Sequence, residues 1–400
     1  MSSAVVKLDI QAIREIANKP IKDTGYTRQF YSYPAKFQHR LPRYLIEALT
    51  SPGDLVVDPY SGGGTTALES LLLGRNFAGY DLNGLAITIS RVKTTRLSPS
   101  TLSDLLVAVL QGRSRKSPIN YFDDVDIECI GDSNAKRATQ IAEAIWEIRD
   151  RRHREFFLVA LIHALKILGR RDYDEGAITE DGDDGNGKKG NGKNKEEPSA
   201  LALFEYEAPE QIASMFMRKA RRMIEELQSL PSKPSSSIQI VARSNHDMRE
   251  VGNGESDLIV TSPPYKDLDV EYALLQFQRR SLNRSKRTTV IERILRLEKP
   301  PTKNALCGEK GEAYWDNIRP TFSECARIAR KDSYAFFWTG FKTQDDHDGF
   351  VRELEVAGFR LVENMAVTLG NDRVASSRST HHDRDTGMLA KDYLIITQRV

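Results

Sequence analysis

Only three cysteines occur in 400 residues (Cys129, Cys307 and Cys325), far apart and with no Cys-x-x-Cys pair. That scarcity argues against a disulfide scaffold or a cysteine zinc site and fits a reducing compartment. No apolar stretch approaches the roughly 20 residues that span a bilayer. The opening MSSAVVKLDIQAIREIANKP is an amphipathic run with no signal-peptide apolar core. A soluble, cytoplasmic protein with no membrane partner is therefore expected. A dominant charge is missing as well: 58 Lys+Arg stand against 56 Asp+Glu, and the net +2 averages over any basic face. At 40% hydrophobic and 28% charged residues, the chain has enough apolar side chains for a full core and more than one lobe. It is neither collagen-like nor disordered throughout, and it shows no internal repeat.

Against these absences, Asp54-Leu55-Val56-Val57-Asp58 reads as a strand that stops at Pro59-Tyr60-Ser61-Gly62-Gly63-Gly64. A helical pattern begins at once with Thr65-Thr66-Ala67-Leu68-Glu69 and ends at Gly74. Phe77-Ala78-Gly79-Tyr80-Asp81 is a second strand, so the segment is a βαβ unit of a parallel sheet. Further strands are expected at 237–243, 257–260, 333–339, 360–369 and 393–400, with a helix over 314–330. Seven strands suit a doubly wound α/β sheet. The domain reading is a first core part at 1–94, a mainly helical insert at 95–236 and a second core part at 237–400. Within the insert, residues 176–198 are Gly, Asn, Asp and Lys with almost nothing apolar, and a disordered loop is expected over 169–198.

Three consecutive glycines after a strand allow a sharp turn and close backbone approach to a ligand, and the following helix offers free N–H groups. Asp81, at the tip of the next strand, can accept hydrogen bonds from vicinal ribose hydroxyls. From this turn alone, a dinucleotide, S-adenosylmethionine or a purely structural role stand level, since Gly62-x-Gly64-x-x-Ala67 meets the loose dinucleotide fingerprint. A phosphate-binding P-loop is excluded, because no Gly-Lys-Ser/Thr follows.

Thr261-Ser262-Pro263-Pro264-Tyr265 breaks that tie. Two prolines stop the strand and leave a rigid backbone rich in carbonyl acceptors. The Ser262 hydroxyl and Pro263 carbonyl can accept both hydrogens of an exocyclic amine, and Tyr265 offers a face for a base worth roughly 1–3 kcal/mol of stacking. An aromatic amine is a poor nucleophile. Accepting its protons localises the lone pair, so that a sulfonium methyl held in line can be transferred directly. No cysteine stands in the Pro-Cys context that a cytosine-C5 enzyme would require.

The chain resembles the amino-group DNA methyltransferases of the N4-cytosine and N6-adenine type. Tyr31 to Phe37 with Leu41-Pro42 and Leu45-Ile46 is similar to that family's motif X. Asp58 to Thr66 is similar to motif I, Gly79-Tyr80-Asp81-Leu82-Asn83 to motif II, and Thr261 to Tyr265 to motif IV in its Ser-Pro-Pro-Tyr form. The resemblance implies a Rossmann-like class I methyltransferase with a seven-stranded, mostly parallel sheet and a helical insert. It also implies S-adenosylmethionine as cofactor and DNA as substrate, with Ser262, Pro263, Pro264 and Tyr265 catalytic. By the same resemblance Gly62, Gly63, Gly64 and Thr65 surround the methionine part of the cofactor, Asp58 lies near its amino group and Asp81 holds the ribose, with Thr66 and Leu82 also cofactor-binding. Asp247 faces the cofactor's adenine, although its Asn245-His246-Asp247-Met248 setting departs from the family's Gly-Asp-Ser. Pro34, Lys36 and Phe37 close the pocket over the cofactor, and Tyr33 and Tyr60 are also cofactor-binding. The Ser-Pro-Pro-Tyr form is commoner among the N4-cytosine members, which ranks N4 of cytosine above N6 of adenine. Motif order leaves the α and γ arrangements open and disfavours β.

From 279 to 303 there are nine Lys/Arg against Glu292 and Glu298, directly after the catalytic turn and with Tyr272 and Phe277 close by. Such a stretch neutralises phosphates and gives salt-dependent, sequence-blind affinity; Arg279, Arg280, Arg284, Lys286 and Arg287 are its leading contacts. Base flipping is expected, because a paired base cannot otherwise reach the acceptors. His381-His382-Asp383 lacks a spaced third histidine, so no metal is expected. The alternatives are an RNA amino-methyltransferase and a catalytically silent nucleic-acid-binding module. A cognate restriction enzyme or defence-system subunit is a possible partner.

Overall fold

Alternation along the strands sorts apolar side chains to two faces, and both faces are covered, as a parallel sheet requires. The computed structural model describes residues 8–19, 25–31, 33, 38–112, 120–171, 211–232, 236–266, 290–297, 311–367 and 391–400. Pro34, Lys36, Phe37, the low-complexity stretch, Arg279, Arg280, Arg284, Lys286, Arg287 and the His381–Asp383 run lie outside the described residues.

The chain divides into two units: one of residues 1–96, 226–272 and 298–400, the other of 97–225 and 273–297. The first is α/β. Its strands are β1 (Leu55–Asp58), β2 (Asn76–Asp81), β3 (Ile238–Ala242), β4 (Ser256–Thr261), β5 (Ala329–Phe341), β6 (Phe359–Val367) and β7 (Lys391–Arg399). They form one sheet in the order β3-β2-β1-β4-β5-β7-β6. The ladders from β3 to β5 are parallel, and β7 runs antiparallel to both its neighbours. All seven expected strands are present. β5 begins at Ala329, four residues before the expected start, with a register shift against β4 between Ser256 and Leu258.

One face carries α1 (Ile10–Asn18), α2 (Arg40–Leu49), α3 (Thr65–Leu72) and α4 (Gly84–Thr94). There Val56, Phe77, Leu258, Val260, Phe336 and Trp338 are buried with Ile13, Leu45, Ala67 and Ile87. On the other face Val57, Ala78, Ile259, Ala335 and Phe337 meet residues of two later helices, Glu312–Ile328 and Gln344–Val356. Each fully buried side chain of this size contributes about 1.5–3 kcal/mol, so the strands that carry the site are held from both sides.

The second unit is helical: α5 (Pro99–Gln111), α6 (Asp124–Ile130), α7 (Asp132–Trp146), α8 (Arg151–Arg171), most of α9 (Gln211–Leu227) and α10 (Val290–Leu295). Phe156, Phe157 and Phe216 lie in its core. This unit takes in 97–225 together with 273–297, a piece of the basic segment. Within that piece Val290, Ile291 and Ile294 are buried, Arg293 pairs with Asp126 at 2.6 Å and Arg296 with Glu143 at 3.1 Å. The helices named above on the second face of the sheet are α11 (Glu312–Ile328) and α12 (Gln344–Val356). No helix among the described residues is long and apolar enough to cross a membrane.

Candidate active site

β1 and β4 pair in parallel, Val56 opposite Leu258 and Val57 opposite Ile259, so their carboxyl ends lie side by side. The chain passes from β1 to β2 on one side and returns to β4 on the other. The crevice at such a reversal of strand order is where α/β sheets bind ligands. The glycine turn follows β1 and the Ser-Pro-Pro-Tyr turn follows β4.

Asp58 links the two turns. Its Oδ1 accepts from Thr261 Oγ1 at 2.7 Å and from Tyr60 N at 3.1 Å, and its Oδ2 accepts from Thr66 Oγ1 at 2.9 Å. The side chain is buried, and burial pushes its carboxyl up to about 6. The three donors oppose that rise by favouring the charged form, while the Asp81 charge adds to it.

At two of its three glycines the turn has no space for a side chain. Gly62 and Gly64 have positive φ of 49° and 74°, a region glycine enters without penalty. A Cβ on Gly63 would lie 2.8 Å from Tyr33 Cβ, and one on Gly64 would lie 2.3 Å from Ser90 Oγ and 2.8 Å from Ser90 Cα. Tyr33 therefore packs directly on the turn, which joins the motif X segment to motif I. The segment before it is fixed by a buried ion cluster: Arg28 meets Glu69 of α3 through Nε at 2.8 Å and Nη2 at 3.0 Å, with Arg43 adding a contact at 3.3 Å. Lys93, 2% exposed, donates from Nζ to Gly63 O at 2.8 Å, and Thr27 Oγ1 bonds the Lys93 carbonyl at 2.7 Å.

Asp81 accepts from Gly62 N at 2.9 Å and Asn83 N at 2.8 Å. Burial raises its carboxyl, against backbone donors at Asn83, Gly62 and Leu82. A carboxylate has about four acceptor sites, so capacity for a ribose hydroxyl remains. Asp247 pairs with Arg249 Nε at 2.9 Å, and that hydrogen bond holds its carboxyl below the usual range. The residue of this loop that reaches the glycine turn is Asn245. It donates from Nδ2 to Pro59 O at 2.9 Å and accepts from Thr321 Oγ1 at 3.0 Å, while Tyr60 and Thr321 hydroxyls meet at 3.1 Å.

At the other corner Thr261 and Pro263 are buried, and Ser262 is half-buried. Pro264 O accepts from Tyr314 Oη at 3.2 Å. Tyr265 donates from Oη to Asp392 Oδ1 at 2.8 Å, and its ring lies so close to Gly340 that a Cβ there would come within 2.4 Å of Cε2. Lys266 pairs with Asp346 at 2.7 Å and lies over Trp315 at 5.9 Å. The structure thus brings Tyr33, Asp58, Tyr60, Gly62–Thr66 and Asp81 together with Thr261 and the turn that follows it. Lys93, Thr321 and Asp392 escape sequence reasoning, since none stands in a motif, and Asn245 enters it only as a neighbour of Asp247. The one signal available for Lys93 is a lysine on the inward, apolar face of α4.

This strand order, with a glycine turn after β1 and an acid at the tip of β2, is that of a doubly wound α/β sheet with one antiparallel strand inserted near an edge. Residues 10–91 match the family model described as DNA methylase, N6_N4_Mtase. The Type II methyltransferase M.MvaI of Kocuria varians is 22% identical over 272 residues, covering 64% of this chain and 56% of that protein. M.MjaII of Methanocaldococcus jannaschii, also named a Type II methyltransferase, is 27% identical over 101 residues, covering 25% of this chain and 19% of its own. The chain thus spans 56% and 19% of the length of these two relatives. The solved structure of a SAM-dependent methyltransferase from Methanosarcina mazei aligns over 89% of this chain and 97% of that one, at 9% identity and a TM-score of 0.34. Over residues 10–91 the chain is thus similar to the N4/N6 amino-methyltransferases, a family whose cofactor is S-adenosylmethionine. The site suits that cofactor: its turn admits no side chain at 63 and 64 and it ends on the N-terminus of α3, while Asp81 retains acceptor capacity.

Proposed function

We propose that the protein is an S-adenosylmethionine-dependent DNA methyltransferase acting on an exocyclic base amine, N4 of cytosine ahead of N6 of adenine. The observation that carries this reading is the Thr261–Asp58 hydrogen bond at 2.7 Å, which joins the amine-accepting turn to the glycine turn at one edge of the sheet. Bound cofactor supplies an electrophilic methyl on a sulfonium. In the chain, Gly62, Gly63, Gly64, Thr65 and Thr66 take its methionine part, Asp58 its amino group, Asp81 and Leu82 its ribose and Asp247 its adenine. Tyr33, Pro34, Lys36, Phe37 and Tyr60 enclose it. The Ser262 hydroxyl and Pro263 carbonyl accept the hydrogens of the base amine, which frees its lone pair for attack. The target base leaves its stack to reach them and lies on Tyr265. Arg279, Arg280, Arg284, Lys286 and Arg287 contact DNA phosphates, and a restriction enzyme of the same specificity is the expected partner in the cytoplasm.

Tritiated cofactor offered with duplex DNA, single-stranded DNA and tRNA, followed by digestion and mass spectrometry, tests this. Label in DNA as N4-methylcytosine is the expected result, and N6-methyladenine would move the assignment to adenine. Label confined to tRNA would overturn the DNA reading, and no label in any substrate would leave a binding module.

A further inference from the structure

We propose that Thr261 is a positioning residue for methyl transfer: its hydroxyl bond to Asp58 sets the Ser262–Pro263 acceptors against the glycine turn. The inference rests on the function just proposed and deepens it. Thr261 is the last residue of β4, fully buried, and its backbone is fixed opposite Phe337 of β5. The next two positions leave the sheet, and Pro263 has no N–H with which to rejoin it. The placement of the acceptors therefore depends on how firmly Thr261 is held. On its far side, the turn is held by Tyr314 at Pro264 O and by Asp392 at Tyr265 Oη.

The same carboxylate that receives Thr261 also receives Tyr60 N from the glycine turn and Thr66 Oγ1 from the first turn of α3. One buried anion thus collects a donor from each corner, and a shift of either corner moves the other. Sub-ångström placement matters in direct transfer, where a misplacement of about 1 Å costs on the order of 10²-fold in rate. Valine has the shape of threonine and suits a strand, but it cannot donate. Replacing Thr261 by valine removes the link while leaving the β4 ladder intact.

The groups facing Asp58 are Tyr60 N–H in the turn, Thr66 on α3, Thr261 on β4, the Asp81 carboxylate on β2 and the Cys325 thiol on α11, which burial keeps neutral. Loss of the Thr261 donor leaves fewer groups favouring the ionised form, so Asp58 holds its proton to a higher pH. A Thr261 that only filled the end of the strand, with no bond to Asp58, would leave that titration where it is.

The experiment compares the full-length protein with Thr261→Val, Thr261→Ser and Thr261→Cys, measuring kcat on duplex DNA, cofactor Kd by calorimetry and the pH–rate profile. The expected result for Thr261→Val is a kcat lowered about 10- to 100-fold, a cofactor Kd within threefold and an acid limb moved to higher pH. Thr261→Ser restores both kcat and the limb. Should Thr261→Val not fold, Thr261→Cys, with its weak donor, must show the limb shift in its place. A valine variant within twofold of the parent kcat overturns the proposal, as does an unmoved limb in the valine or cysteine protein. So does a loss of kcat that serine fails to rescue. A parent protein that methylates no nucleic acid would instead remove the underlying function, and the positioning role with it.

Discussion

Replacing Gly64 by alanine separates two costs that the glycine turn imposes. The backbone there has φ +74°, and a left-handed conformation costs a non-glycine residue about 1–2 kcal/mol. The added Cβ would also lie 2.8 Å from Ser90 Cα, a backbone atom of α4 that cannot rotate away. Ordinary carbon contacts lie at roughly 3.5–4.0 Å, so α3 and α4 must separate, and overpacking of this kind costs about 1–3 kcal/mol. The expected loss is about 2–5 kcal/mol, a large part of a typical domain's stability. Gly254→Ala is the matched reference, because its φ is +67° and nothing lies within 4 Å of the added methyl. It carries the conformational cost alone, about 1–2 kcal/mol. Urea unfolding of the two variants isolates the steric cost as their difference, and calorimetry with S-adenosylmethionine reads the turn directly. Gly64→Ala weakens the cofactor at least about tenfold, a loss of about 1.4 kcal/mol, and Gly254→Ala leaves Kd unchanged. Equal destabilisation of the two, or an unaltered Kd in Gly64→Ala, would refute the close approach of the turn to α4.

Four further perturbations follow from the same geometry. Glu69→Ala strands the buried Arg28 guanidinium and lowers unfolding free energy in urea by about 3–5 kcal/mol; a loss below 1 kcal/mol would contradict the buried cluster. The folded protein binds the Asp58 proton more tightly than the unfolded chain, since burial lifts this carboxyl from 3.8 to about 6. Its contribution to stability therefore falls as pH rises from about 4 to about 6 and is level above that. Asp58→Asn abolishes that slope, leaves stability at pH 8 equal or higher and weakens the cofactor; calorimetric melting across pH reads it, and an unchanged slope would assign the titration elsewhere. Tyr265→Ala raises KM for DNA far more than the cofactor Kd, whereas equal changes in both would argue against base stacking. Reversing Arg284 and Arg287 to glutamate lowers the slope of log K against log salt by about 2 in filter binding without changing cofactor affinity; an unchanged slope removes these residues from the DNA contact.

Local patterns made the sheet legible. The runs at 54–58 and 77–81 and the turn at 62–64 mark β1, β2 and the crossover, because a parallel strand buried on both faces must read as continuous apolar sequence. Asp58 was legible as a site residue but not as a bridge, since its bond to Thr261 spans 203 positions. The same holds for Arg28 with Glu69, and for Asn245 with Pro59 and Thr321. These are single long-range polar contacts, and no periodicity announces them. The basic stretch at 279–303 was read from composition, which counts charge without regard to pairing. Arg293 and Arg296 belong to that count, yet they pair with Asp126 and Glu143 beside buried Val290 and Ile291. The make-up of the second unit is illegible for a similar reason: α10 packs on helices more than a hundred residues earlier, which a segment-by-segment reading cannot express.

The most direct measurement is base-resolution mapping of modified positions in DNA from a host expressing the protein, beside a host expressing Asp58→Ala. N4-methylcytosine at one recurring sequence, absent with the variant, is the result predicted if the β1 and β4 turns form a single site for cofactor and base. Unmodified DNA, methyl groups at cytosine C5, or a pattern that survives Asp58→Ala would contradict it.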